Sequence, residues 1–78
     1  MKIYTKEITV YDFEDIFDGF CVEVHNDEDK TCFYLYHKMY GIKKYMFGVE
    51  PTNNEFIVRD LIISNIENHI ENYIEYYF

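Results

Sequence analysis

The chain has 78 residues, a formal net charge of -8, and 21% aromatic side chains. That length fits one domain, 1–78, and the aromatic and β-branched content supplies a core that disordered chains lack. Fifteen acidic against seven basic side chains argue against direct nucleic-acid binding and against an anionic membrane surface, both of which need cations.

Lys2 to Ile8 predicts a short strand. Thr9 then reads as a helix N-cap, Val10, Phe13, Ile16 and Phe17 follow at helical spacing, and Gly19 stands where a C-cap belongs, so a short helix is expected over 10–18. Phe20 to His25 alternates, with Phe20, Val22 and Val24 on one face and Cys21, Glu23 and His25 on the other. Asn26 to Lys30 is a polar turn and Thr31 to Met39 the next strand. Val24 opposite Phe33 and Val22 opposite Leu35 is the register that keeps the apolar faces together, because a slip of one residue would mix them.

Tyr40, Gly41 and Ile42 turn the chain, with Gly41 supplying a positive φ, and Lys43 to Val49 completes a meander. A three-residue loop would set Tyr45, Phe47 and Val49 against His37, Leu35 and Phe33. Glu50 and Pro51 end the sheet, and Thr52-Asn53-Asn54-Glu55 reads as a capping box. Val58, Ile62, Ile66, Ile70, Tyr73, Ile74 and Tyr77 then recur at steps of three and four, which predicts an amphipathic helix over 53–76. Its β-branched start, Phe56 to Ile63, also suits a strand. The expected fold is α+β, a three- to four-stranded antiparallel sheet in the order β-α-β-β-β-α. The long C-terminal helix lies on one face through Ile62, Ile66, Ile70 and Ile74. Tyr34 and Tyr36, and with them Met46, are expected on the other face.

The chemistry-bearing residues are sparse. Ser64 is the one serine, and no phosphate-binding glycine loop or nucleophile elbow is present. Cys32 should lie across from His25, read as two neighbours in contact rather than a catalytic dyad. Cys21, His25, Cys32, His37 and His69 lack metal-ligand spacing, and Cys21 and His25 would be about 13 Å apart along a strand. The turn at 26–30 lacks the glycine and terminal glutamate of a calcium loop. No catalytic residue, metal or cofactor is expected, and the protein reads as a non-enzyme. Two cysteines make no disulfide framework. No apolar run reaches transmembrane length, and Met1 to Val10 has no signal-peptide apolar region, so a cytoplasmic location is expected.

Acid is what remains. Glu67, Glu71 and Glu75 form a ridge on the long helix, with charges about 6 Å apart along its axis. Like charges at this spacing destabilise a helix, and they sit toward the end where the dipole prefers cations. Such local violations concentrate at functional positions, although most charge runs are solvated faces. Asp12, Glu14, Asp15 and Asp18 form a second cluster, its first three residues being the binding candidates, and Asp27, Glu28 and Asp29 form a third. Beside them, Tyr34 and Tyr36 offer half-apolar area suited to an interface. These eleven residues are the candidate partner-binding set.

The short acidic chain, its three-stranded meander with helices and its lack of a catalytic motif together resemble small phage-encoded inhibitors of the anti-CRISPR, nucleic-acid-mimic kind. The resemblance is one of size, charge and layout across the whole chain. It implies inhibition by occupying the cationic nucleic-acid-binding surface of a partner such as a CRISPR effector, in the host cytoplasm. Two other readings compete with it. One is an immunity- or antitoxin-like protein that neutralises a basic toxin. The other is a self-associating module, with a homodimer held by the aromatic helix end, Tyr73, Tyr76, Tyr77 and Phe78.

Overall fold

The computed structural model describes residues 7–13 and 17–77. Four strands, β1 (Glu7–Asp12), β2 (Phe20–Asn26), β3 (Thr31–His37) and β4 (Lys44–Val49), precede one helix, α1 (Glu55–Tyr77). The strands form an antiparallel meander in the order β1-β2-β3-β4. The fold is therefore α+β, with an open sheet and a long C-terminal helix on one face.

The central hairpin has the register that the apolar alternation requires: Val24 faces Phe33, Val22 faces Leu35 and His25 faces Cys32. Asp27 closes its turn, with Oδ1 accepting from the Asp29 and Lys30 amides. The outer two strands depart from expectation. Residues 10–12 belong to β1, where a helix over 10–18 was expected, and Thr9 pairs with Val24 instead of capping a helix. Glu7 to Asp12 also alternates, and pairing with β2 half-buries Tyr11 against the core, which outweighs the helical spacing of Val10, Phe13 and Phe17. Residues 14–16 of that expected helix, and the start of the expected strand at 2–6, lie outside the described residues. Gly19 does take a positive φ of 79°, but it ends a turn in which the Phe20 amide donates to Phe17.

β4 is displaced by two residues from the expected register. Val49 pairs with Thr31 and Phe47 with Phe33, and the register then shifts so that Tyr45 pairs with Tyr34. Met46 is the extra residue, as in a β-bulge, and it turns into the core, not onto the opposite face. The β3–β4 loop consequently spans 38–43, longer than the expected three residues. Gly41 still supplies the positive φ, 70°.

Helix α1 starts at Glu55 with Asn54 as its N-cap, whose Oδ1 accepts from the Phe56 and Ile57 amides. The expected capping box at Thr52 is thus two residues early. Thr52 is held elsewhere: its amide donates to Thr31 Oγ1, and its carbonyl accepts from Asn26 Nδ2, which ties the helix entry to the sheet. Val58, Ile62, Ile66 and Tyr73 are the buried helix residues, packed over Phe20, Val22, Phe33 and Leu35. Ile70 is half-buried, and Ile74, expected in the core, is 42% exposed. Tyr73 occupies that end of the core, edge-on to Phe20, and its hydroxyl donates to the Ile42 carbonyl at 2.7 Å. No helix among the described residues is long and apolar enough to cross a membrane.

Candidate protein-binding surfaces

The two sides of the molecule differ in chemistry. On the helix side, Glu67, Glu71 and Glu75 are all exposed, pointing away from the sheet. Asp60 lies on the same outer side, about two turns before Glu67. None of these four carboxylates forms an ion pair among the described residues.

The cations are used elsewhere. Lys38 pairs with Asp12 at 2.8 Å and Lys43 with Glu23 at 2.9 Å. Lys44 sits over the Tyr76 ring at 4.3 Å, and the Arg59 guanidinium approaches Phe13 at 5.9 Å. Four of the seven basic side chains are therefore turned onto the scaffold, and among the described residues none pairs with the outer helix ridge.

The other acidic clusters are placed differently. Asp12 is at the end of β1, tied to Lys38. Asp27 is committed to the hairpin turn, whereas Glu28 and Asp29 are exposed. Glu14 and Asp15 lie outside the described residues. Among the described residues no hydrogen bond or ion pair joins the helix ridge to Asp12 or to the hairpin turn.

The sheet face away from α1 carries Cys21, Glu23 and His25 from β2, Cys32, Tyr34 and Tyr36 from β3, and Tyr45 from β4. Tyr34 and Tyr36 are half-buried, not free. Tyr34 packs between His25 at 4.5 Å and Tyr45 at 5.6 Å. Glu23 is 7% exposed. Its carboxylate is held by Lys43 and by His25 Nε2 at 2.5 Å. The Lys43 hydrogen bond, with help from His25, keeps the carboxyl below its ordinary range despite burial. Burial, with Cys21, Glu23 and Asp12 adding to it, raises the Tyr36 phenol. On the helix side, burial and then Lys44 lower His69.

His25 is bonded to Glu23, and its Nδ1 is buried without a hydrogen-bond partner. Cys32 directly opposite makes no hydrogen bond to that nitrogen. The pair is thus a contact without the nucleophile–base bond a dyad needs. Among the described residues, no three His, Cys, Asp or Glu side chains are placed to share a metal ion.

The Glu23–His25–Lys43 cluster was not singled out from the sequence. Alternation put Glu23 and His25 on one face, but Lys43 reaches them from a loop whose course depends on the β4 bulge. No family model matches this chain, and neither a curated protein nor a solved structure matches it.

Proposed function

We propose that this protein is a non-enzymatic binding protein, a stoichiometric inhibitor whose acidic helix occupies the basic nucleic-acid-binding surface of a partner protein. The observation that carries this reading is the exposed Glu67–Glu71–Glu75 ridge, without an ion pair among the described residues while four of the cations are engaged on the scaffold. With one charge per about 6 Å, the ridge has roughly half the linear charge density of one DNA strand. It therefore competes for a few lysines or arginines at a time, with shape and apolar contacts supplying the rest of the affinity.

The test uses tagged wild-type protein and the Glu67→Lys/Glu71→Lys/Glu75→Lys variant as baits in lysates of candidate hosts. Basic nucleic-acid-binding proteins should be retained by wild type alone and be released by an added DNA or RNA oligonucleotide. Retention of the same proteins by both baits, undisturbed by oligonucleotide, would refute the mimic reading.

A further inference from the structure

Helix α1 carries two seams, and among the described residues the fold buries the first and covers the second only in part, at Ile70. The first, through Val58, Ile62, Ile66 and Tyr73, is buried on the sheet. The second runs beside it on the β1 side. Phe56, Asp60, Ile63, Glu67, Ile70 and Ile74 follow one another at alternating steps of four and three residues, and one more step of three reaches Tyr77. This is the spacing of a helix that packs against another helix. Among the described residues the seam is largely uncovered: Phe56 is 74% exposed, Ile63 43% and Ile74 42%, with Ile70 half-buried. The seam extends about 32 Å along the helix.

We infer that this second seam is a docking site for a basic amphipathic helix of the partner, an inference that rests on the acidic-surface reading above and gives the partner a shape. Asp60 and Glu67 sit within the apolar seam, not merely beside it, so an occupant must bring cations to those two steps and apolar side chains to the others. A second copy of this chain does not meet that demand. Paired antiparallel about the middle of the seam, Glu67 faces its own counterpart; paired in parallel, Asp60 does so as well. Either arrangement desolvates like charges, with Glu71 of each copy close by. Complementary charge therefore selects a lysine- or arginine-bearing helix over self-association.

The full-length protein is titrated with two labelled peptides of equal charge. One is a synthetic helix with leucines at steps of three and four and lysines placed to meet Asp60 and Glu67; the other is an oligolysine without apolar side chains. Wild type should bind the patterned peptide at least about tenfold more tightly than oligolysine, since burying two or three aliphatic side chains is worth that much. Ile63→Ser and Ile74→Ser should each remove much of that difference, leave oligolysine binding unchanged and keep the melting temperature near wild type. The Glu67→Lys/Glu71→Lys/Glu75→Lys variant should weaken both peptides, and failure of that arm alone would count against the acidic-surface reading. Equal affinity for the two peptides, or serine variants that bind the patterned peptide as wild type does, would overturn the seam. So would a sedimenting dimer of the free protein that Ile63→Ser dissociates, because the occupant would then be a second copy.

Discussion

Glu23 shows how one side chain ties surface charge to fold stability. It sits on the sheet face away from the helix, nearly buried, and it stays ionised because Lys43 and His25 both contact it. Its pKa is lower in the folded chain than in the unfolded one, so the fold gains stability from it above the ordinary glutamate value of 4.5 and loses that gain as pH falls through the lower folded value. His69, also lowered, acts in the same direction from higher pH: below 6.5 the unfolded chain takes up its proton first, and stability begins to fall there. Chemical denaturation across pH should therefore show a decline that starts below 6.5 and steepens below 4.5. His69→Asn should remove the upper part and Glu23→Gln the lower, with Glu23→Gln also weakening the fold at neutral pH. An unchanged acid limb in Glu23→Gln would show that its carboxylate gains nothing from Lys43. The two positive-φ glycines give a second contrast at this scale. A Cβ on Gly19 would run into the His37 ring, whereas one on Gly41 meets nothing within 4 Å. Gly41→Ala should cost about 1–2 kcal/mol for backbone conformation alone, and Gly19→Ala clearly more.

The elements separate what patterning determines from what it does not. Ile66 is fully buried between α1 and the sheet, so Ile66→Ala should cost about 2–5 kcal/mol, while Ile74→Ala, on the exposed seam, should stay within about 0.5 kcal/mol. Equal costs in thermal melts would mean the helix face is misassigned. The helix and the central hairpin were legible because long 3.6-residue periodicity and strict alternation leave one low-energy register each. Val24 against Phe33 is the clearest case. The last helical turns were less legible, since Tyr73 and Ile74 are neighbours and either fits the spacing. Tyr73 wins because its hydroxyl finds the Ile42 carbonyl, a loop atom that no helical pattern contains. Residues 9–12 take a strand where a helix and its cap were expected, because 8–13 satisfy both periods and only pairing with β2 decides between them. The β4 register was hidden for a similar reason: a bulge at Met46 changes which residue faces the core without altering composition. Of the candidate site, the acidic ridge was legible from spacing alone. The second apolar seam was present in the same spacing but reads as core until the sheet is seen to cover only one side of the helix.

At the scale of the whole molecule, the acid is a recognition surface only if its loss separates function from stability. Reversing Glu67, Glu71 and Glu75 to Lys should abolish partner binding. The same change should leave the melting temperature unchanged or raise it slightly. It removes like-charge pairs at four-residue spacing, worth a few tenths of a kcal/mol each, and it places cations near a helix end whose last turn has no basic residue. The opposite signs are the diagnostic, because a structural ridge would lose binding and stability together. The remaining clusters do not offer so clean a test. Asp27 holds the hairpin turn through two backbone amides, so its reversal would damage the fold as well as the surface. Asp12 pairs with Lys38 across the surface, an exposed pair worth under about 1 kcal/mol, and reversing it sets two cations together. Glu28 and Asp29 are exposed, and Glu28→Lys/Asp29→Lys is the fair comparison for the hairpin. Binding in wild type should also weaken steeply between low and physiological salt, since the charges meet across accessible contacts with a Debye length of about 8–10 Å. If the helix reversal leaves binding and its salt dependence as they are in wild type, the ridge is solubilising charge. The Tyr34 and Tyr36 face, with Tyr45 exposed beside it, would then be the surface to mutate next.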